Sequence, residues 1–317
     1  MTLFNSQIVQ IGISSCLLGE EVRFDGGHKR SNFCVQEVGR VVKFISVCPE
    51  MAIGMGSPRP SIRLVKDEGS IYLQSRDGSI DVTQKMSQFS IKKAQELNYL
   101  SGYIVCAKSP SCGMERVVEY KKGKDTGTKS GVGVYTKHLM EIHPYLPIEE
   151  DGRLHDLLIR ENFFIRVFAY HDWKILEQSG FSRSKLTDFH ARYKYLIMSH
   201  SPKSYQTLGR MLGHMDDPNL SAQLYFESFM KALQKKATKK SHTNALQHIQ
   251  GYFKKHLTPQ QKIELTDTIM KFHDGVVPLL VPITLINHYL NEYPISYIKQ
   301  QVYLNPHPEL LKLRYAY

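Results

Sequence analysis

The first half of the chain alternates short apolar, β-branched runs with segments whose apolar residues recur at helical spacing. Such runs, closed by polar turn residues, are typical of strands that are buried in a sheet. Strands are predicted at residues 8–13, 41–47 and 103–107, with a hairpin formed by residues 62–66 and 71–75. Helices are predicted at about residues 32–40 and 83–98. This alternation favours an α/β domain with a parallel or mixed, Rossmann-like sheet.

The pattern changes in the second half, where apolar residues recur every three or four positions and no strand-like run is found. Several polar residues of the kind that caps helix N-termini precede these segments. The residues that open them are Ser182, Ser201, Asp217, Ser241 and Thr258. We therefore predict an all-α domain of seven or eight helices over residues 149–317, following an N-terminal domain over residues 1–148.

Composition is that of a globular protein, since 42% of the 317 residues are hydrophobic and 22% are charged. No apolar run approaches the roughly 20 residues that span a bilayer, and the N-terminus lacks the pattern of a secretory signal. The five cysteines are odd in number and widely spread, unlike a secreted disulfide framework. We therefore expect a cytoplasmic protein with reduced thiols and no membrane contact, and we infer no obligatory protein partner.

Three cysteines follow the ends of predicted strands, namely Cys16, Cys48 and Cys112. Ligands of parallel α/β sheets bind beyond the carboxyl ends of the strands, so we expect these thiols to converge. They are 32 and 64 residues apart with no Cys-x-x-Cys pair, which argues against a zinc ribbon or a ferredoxin-type run. The alternative is three buried structural cysteines. Cys34 and Cys106 lie inside a predicted helix and strand and are expected to be structural.

Four short motifs occur in order around these cysteines. They are Cys-Leu-Leu-Gly from Cys16, Cys-Pro-Glu from Cys48, Lys-Ser-Pro-Ser-Cys-Gly from Lys108 and Gly-Val-Gly-Val-Tyr from Gly131. Together they resemble the motifs of the YbbK-type thiouracil desulfidase family and cover most of residues 8–145.

The second half resembles the YbgA-type domain, which commonly follows that first domain. The resemblance lies in Phe-His-Ala-Arg-Tyr-Lys-Tyr-Leu from Phe189, Ser-His-Ser-Pro from Ser199 and Tyr-Leu-Asn-Pro-His-Pro from Tyr303. The two-domain arrangement is similar to that of tRNA 4-thiouridine desulfidases.

The resemblance implies a [4Fe-4S] cluster held by Cys16, Cys48 and Cys112, with one iron left open because no fourth protein thiolate is present. A soft sulfur donor suits such an iron. A thiocarbonyl bound through sulfur has a more electrophilic ring carbon, to which water can add. The implied reaction is hydrolytic, without net electron transfer, and converts 4-thiouridine in tRNA to uridine and hydrogen sulfide.

Glu50 follows the implied ligand Cys48 by two positions, and we assign it as the general base for water and later as the proton donor. The alternative is a carboxylate that caps a helix or pairs with Arg59. Ser109 is the second catalytic candidate, although a turn-forming serine is the alternative. The predicted substrate-binding residues are Ser111, Arg23, Arg59 and Lys108. Each of the three cations could equally be a surface or structural charge.

The formal net charge of +11 makes a polyanionic partner plausible, and tRNA is the one expected. Residues 1–149 carry 19 basic and 15 acidic side chains, against 22 and 15 in the remainder, so the helical half is the more basic. Predicted RNA-binding residues are Lys231, Lys235, Lys236, Lys239, Lys240, Lys254, Lys255, Arg192 and Lys194. The alternative is a solvated helix face above core aromatics.

Three functions are therefore compared. The leading hypothesis is an iron–sulfur-dependent desulfidase of 4-thiouridine in tRNA, for which a separate basic domain has an obvious use. The first alternative is the same chemistry on free thiouracil or thionucleosides. The second alternative is a metal-bearing RNA-binding module without catalysis, against which Glu50 and the implied open coordination argue.

Overall fold

The computed structural model describes residues 8–314, which divide into two compact units, residues 8–156 and 157–314. The first unit ends later than the boundary predicted after residue 148. The reason is that Ile148–Glu150 forms a strand that pairs within the sheet of the first unit. Within the described residues, no helix is long and apolar enough to cross a membrane.

All five predicted strands and the helix predicted at residues 83–98 are present, with ends shifted by a few residues. In residues 8–314 the strands are β1 (Gln10–Ser14), β2 (Lys43–Val47), β3 (Ile62–Asp67), β4 (Ser70–Ser75), β5 (Gly102–Val105), β6 (Val117–Lys121), β7 (Gly127–Gly131) and β8 (Ile148–Glu150). The α-helices are α1 (Pro49–Ala52), α2 (Thr83–Glu96), α3 (Val134–Ile142), α4 (Leu157–Gln178), α5 (Arg183–His200), α6 (Pro202–Gly213), α7 (Pro218–Gln234), α8 (Lys239–Gln250), α9 (Pro259–His273), α10 (Leu280–Glu292) and α11 (Ser296–Lys299). The helix predicted at residues 32–40 is a π-helical turn, Phe33–Glu37, followed by a 3-10 turn, Val38–Arg40.

The first sheet has the strand order β2-β1-β5-β8, and all its pairs are parallel. Its central strands are buried on both faces, as their continuous apolar runs require. Gly12 in β1 is needed for packing, because a Cβ at this position would lie 2.2 Å from the ring of Tyr103. The parallel α/β architecture predicted for this domain is confirmed.

The second sheet has the order β4-β3-β6-β7 and is mixed. The predicted hairpin of β3 and β4 is antiparallel, whereas β6 lies parallel to β3 and β7 pairs antiparallel with β6. Neither β6 nor β7 was predicted. The sequence of β7, Gly-Thr-Lys-Ser-Gly, is almost wholly exposed, so it carries no apolar alternation that would reveal a strand.

The second unit is helical from α4 to α11, with short turns between the helices, and the all-α prediction is confirmed. Four of the five predicted helix starts are N-caps whose side chains accept a backbone hydrogen bond: Ser182, Ser201, Asp217 and Thr258. Ser241 is the exception. The cap of α8 is Thr238, and the hydroxyl oxygen of Ser241, the third helical residue, accepts the Thr238 amide.

Aromatic rings form the centre of this helical unit. Trp173, the only tryptophan of the chain, stacks on Tyr225 at 5.6 Å and on Phe226 at 5.0 Å between ring centroids. Phe189 meets the same indole edge-on at 5.2 Å. Rings packed in these geometries contribute beyond their buried area, so they tie α4, α5 and α7 together.

Candidate active site

The carboxyl ends of β1, β2 and β5 meet at one edge of the parallel sheet, beside a cavity of about 440 Å³. Four thiols line it, those of Cys16, Cys48, Cys106 and Cys112, and we call it the thiol cavity. The structure therefore brings together the three cysteines that were expected to converge. Cys34 is buried and does not line this cavity.

Cys16 and Cys48 are each held by the turn that ends a strand. Cys16 lies in a 3-10 turn, Ser15–Leu18, and its carbonyl accepts the amide of Lys29 at 2.9 Å. The turn closes at Gly19, whose φ of +98° favours glycine. Cys48 is the N-cap residue of α1, with proline directly after it, so its side chain is set at the sheet edge by the start of a helix.

The loop that carries Cys112 is pinned against the start of α3. The Tyr135 amide donates to the Ser111 carbonyl at 2.9 Å, and the Thr136 hydroxyl donates to the Cys112 carbonyl at 2.6 Å. Gly133 permits this approach, because a Cβ there would lie 2.5 Å from the Ser111 carbonyl. The closing Gly-Val-Gly-Val-Tyr motif thus positions a thiol rather than contacting the cavity itself.

Cys106 was expected to be a structural residue, and this expectation is wrong in part. It is buried, but it lines the thiol cavity, and its thiol is hydrogen-bonded to that of Cys16. The strand β5 ends at Val105, one residue before it, so Cys106 lies at the carboxyl edge rather than inside the strand. The Cys106 amide donates to the Ser14 hydroxyl at 3.0 Å, which fixes the backbone there.

Burial affects the protonation of these thiols. It raises the pKa of Cys48 and the pKa of Cys112 above the usual value. The hydrogen bond with Cys106, together with burial, raises the pKa of Cys16. Thiols bind metals as thiolates, so a metal that binds here must displace their protons.

Glu50 lines the thiol cavity and both of its carboxylate oxygens are hydrogen-bonded. Its Oε1 accepts the Ser111 hydroxyl at 2.7 Å, and its Oε2 accepts Arg59, whose guanidinium also donates to the Gly56 carbonyl at 2.7 Å. The predicted alternative, a pair with Arg59, is therefore present. Glu50 still lines the cavity despite this pair. Each of its oxygens keeps a further lone pair that can accept a proton.

Ser111 was predicted to bind substrate, and this stays a prediction, although in the structure its hydroxyl is engaged by Glu50. Its side chain is fully buried, it does not line the thiol cavity, and its hydroxyl donates to Glu50. Ser109 does line the cavity. Its hydroxyl oxygen accepts the amides of Ser111 at 3.2 Å and Cys112 at 3.0 Å, which stabilises the turn. The proton of the hydroxyl can still be donated to another group.

The predicted cations lie on the same wall. Arg23 and Lys108 both line the thiol cavity, as does Arg59. Arg23 is half-exposed and lies 3.4 Å from Asp25. Lys108 has a φ of +64°, an uncommon conformation for a residue with a side chain, of the kind found at functional sites.

Sequence reasoning missed an ion pair between Lys29 and Asp151. The Lys29 Nζ lies 2.9 Å from Asp151 Oδ2, and Asp151 Oδ1 accepts the Ala107 amide at 2.9 Å. Lys29 lines the thiol cavity. The available signal was positional, since Asp151 directly follows β8 at the same sheet edge, but β8 is only three residues long and was not predicted.

The predicted RNA-binding lysines of the helical unit are exposed, apart from Lys194. Lys239 and Lys240 begin α8, where the helix dipole already favours an anion, and no acidic residue lies in that first turn. Arg192 behaves differently, because it pairs with Asp172 at 2.8 Å. Lys194, two residues further along α5, lies on another face of the helix. Arg192 and Lys194 therefore do not form the single RNA-binding surface that was predicted for this segment.

Comparisons with known proteins match the two units separately. Residues 11–151 match the family described as 2-thiouracil desulfurase, and residues 194–308 match the family described as a protein of unknown function (DUF1722). The uncharacterized protein YbgA of Escherichia coli (strain K12) is 32% identical over 159 residues, covering 49% of this chain and 94% of YbgA. The uncharacterized protein YbbK of Bacillus subtilis (strain 168) is 30% identical over 158 residues, covering 46% of this chain and 98% of YbbK. A solved structure, the [4Fe-4S]-dependent thiouracil desulfidase TudS, is 25% identical and covers 48% of this chain and 97% of its own, with a TM-score of 0.40.

Proposed function

We propose that this chain, which belongs to the 2-thiouracil desulfurase family and continues into a YbgA-like domain, removes the sulfur atom from 4-thiouridine in tRNA. The products are uridine and hydrogen sulfide. The observation that carries the proposal is the thiol cavity, which is lined by Cys16, Cys48 and Cys112 together with the carboxylate of Glu50.

The donor set fits an iron–sulfur cluster. Thiolates are the ligands of such clusters, and the three cysteines come from three separate loops that face one cavity. The fit lies in the chemistry of these donors. Among residues 8–314, no group of three or more His, Cys, Asp or Glu side chains is already gathered closely enough to hold a metal ion, and ligation by the three cysteines is therefore proposed rather than observed. When bound, a [4Fe-4S] cluster with three protein ligands supplies a soft, open iron for the thiocarbonyl sulfur.

Glu50 is the proposed general base. Its carboxylate takes a proton from the water that adds to the ring carbon bearing sulfur, and it returns that proton to the departing sulfur. Arg59 and Ser111 hold the two oxygens in place, so the carboxylate cannot rotate away from the cavity. The overall change exchanges one sulfur for the oxygen of one water, and the two water protons leave with the sulfur, so no reductant is needed.

The remaining polar groups of the wall bind and orient. The Ser109 hydroxyl proton is available for a carbonyl or ring nitrogen of the pyrimidine. Arg23 and Lys108, which line the cavity, are the proposed contacts for the phosphates that flank a thiolated nucleotide. A thiolated base within a folded RNA is stacked, so the enzyme must take it out of the stack to reach the cavity.

The substrate assignment is tested by incubating the reconstituted protein, without oxygen, with thiolated tRNA and with free 4-thiouracil in parallel. Loss of the 4-thiouridine absorbance from tRNA is the expected result. Turnover of the free base alone would make the protein a desulfidase of small thiopyrimidines. RNA binding without sulfur release from either substrate would leave a metal-bearing RNA-binding module.

A further inference from the structure

A shallow groove of about 760 Å³ lies between α5 and α6 in the helical unit, and Tyr297 of α11 closes one side. We call it the tyrosine groove and define it by His190, Lys194, Tyr205, Arg210 and Tyr297. Among the described residues that line it there is no carboxylate, whereas Lys194 and Arg210 are both cationic. The groove is therefore complementary to an anion, and its walls are aromatic.

Lys194 is surrounded by tyrosine rings. Its Nζ lies 4.9 Å from the ring centroid of Tyr195 and 4.9 Å from that of Tyr297. Tyr252 extends this platform, since its ring stacks on Tyr297 at 5.5 Å between centroids and 39% of Tyr252 is exposed. A cation that is shared by aromatic faces holds those faces in fixed positions, so the platform is preformed.

The opposite wall is flat and can form hydrogen bonds. Tyr205 and His190 are nearly parallel, with an interplanar angle of 10° and centroids 6.3 Å apart. Burial lowers the pKa of His190 to about 4, so the ring is neutral near pH 7, and its Nδ1 lies 3.0 Å from the Tyr225 hydroxyl. Its Nε2 lies on the side of Gly209, 3.8 Å from the position that a Cβ on that glycine would take.

We propose that the tyrosine groove binds one unpaired nucleotide of an RNA, with its base stacked on the Tyr252–Tyr297 platform or on Tyr205 and its phosphate on Lys194 and Arg210. Stacking on aromatic rings beside cations is how proteins hold bases that are not in a duplex. The exposed Lys254 and Lys255 follow Tyr252 after the buried Phe253, and we expect them to extend the positive surface for neighbouring phosphates.

The chemistry favours RNA over an acidic peptide. An acidic peptide would need only the cations of the groove to bind its carboxylates. The groove also offers several aromatic ring faces and a neutral imidazole, which suit a nucleotide base. The choice of RNA rests on the proposed function, in which the substrate is a tRNA. The tyrosine groove would then be a second contact with that RNA, separate from the thiol cavity.

The test measures binding of the full-length, cluster-reconstituted protein to a short fluorescein-labelled oligouridylate and to duplex RNA of the same length. The variants are Tyr297→Leu and Tyr252→Leu, with Tyr297→Phe as the conservative partner. Tyr99→Leu, at an exposed tyrosine of the first unit, is the matched control. Trp173 fluorescence reports whether the helical unit remains folded, and the exposed Tyr252 provides a second variant if Tyr297→Leu unfolds.

Tyr297→Leu should weaken oligouridylate binding about tenfold or more, while Tyr297→Phe and Tyr99→Leu bind like the parent. Lys194→Gln should lower the slope of log affinity against log salt by about one. Parent-like binding by both leucine variants, equal losses on duplex and single strand, or a Tyr297-dependent preference for polyglutamate would each overturn the proposal.

Failure of this inference is distinguishable from failure of the proposed function. Desulfuration of thiolated tRNA with no effect of the leucine variants on RNA binding would support the proposed function and overturn RNA binding at the tyrosine groove. Tyr297-dependent RNA binding by a protein that leaves 4-thiouridine intact would keep the groove and remove the function. Turnover of free 4-thiouracil should be unchanged in Tyr297→Leu.

Discussion

The Ser111 hydroxyl donates a hydrogen bond of 2.7 Å to Glu50, although 61 residues separate them in the sequence. Ser111 is fully buried in the loop that presents Cys112, whereas Glu50 follows Cys48 in α1. The bond therefore links two of the three cysteine loops through the proposed base. A displacement of either loop would move the carboxylate as well.

Replacing Ser111 tests whether it acts through Glu50. In Ser111→Ala, kcat for a free thiopyrimidine should fall about tenfold, equivalent to about 1.4 kcal/mol, because the carboxylate loses one of its two anchors. KM and iron content should not change. In the double variant with Glu50→Gln, activity should equal that of Glu50→Gln alone, since a positioning residue has nothing left to position. Additive losses would assign Ser111 a role of its own.

The cysteine ligands are tested by iron analysis after reconstitution without oxygen. Alanine at Cys16, Cys48 or Cys112 should abolish both bound iron and activity, whereas the parent should hold about four irons. Cys106→Ala is the informative control, because Cys106 lines the same cavity and contacts Cys16. It should retain iron if three cysteines suffice. Loss of iron from Cys106→Ala, or its retention in Cys112→Ala, would contradict the ligand assignment.

The lysines around the start of α8 should affect tRNA but not small substrates. Glutamate at Lys235, Lys236, Lys239 and Lys240 should raise KM for thiolated tRNA strongly, because phosphate neutralisation is the main source of RNA affinity. Turnover of free 4-thiouracil should be unaffected. A matched variant places glutamate at four exposed lysines of the first unit, namely Lys85, Lys92, Lys124 and Lys129. Equal losses on both substrates would mean that the α8 lysines are structural.

The helical unit should lose stability in mild acid. Burial lowers the pKa of His200 to about 4, and burial with the nearby Arg314 lowers the pKa of His307 to about 3. Between those values and the ordinary 6.5, the unfolded chain binds protons that the folded chain does not, so stability falls as pH falls below 6.5. Each histidine should contribute about 1 kcal/mol of loss between pH 6.5 and 5.5.

Urea unfolding followed by Trp173 fluorescence measures this loss, because the single tryptophan of the chain lies in the helical unit. His307→Gln should remove its share of the pH dependence. His288→Gln, at a side chain that is 61% exposed, should leave the dependence as it is in the parent. A parent stability that stays constant from pH 7.5 to 5.5 would show that these histidines are not held neutral by the fold.

Local patterns in the sequence determined much of the fold. Apolar runs located the buried strands, and Ser182, Ser201, Asp217 and Thr258 located helix starts, because capping is a contact between a side chain and the amides of the next turn. Convergence of the three cysteines also followed, since parallel strands end at one edge of a sheet.

The tertiary structure decided which polar groups meet. The Ser111–Glu50 bond, the Lys29–Asp151 pair and the position of Cys106 beside Cys16 each join segments that are far apart in the chain. No local pattern encodes such a pair, because its energy arises only after the loops that carry both partners have been fixed by packing. Sequence alone therefore predicted where the thiol cavity would lie, and the folded structure determined which residues hold its proposed base in place.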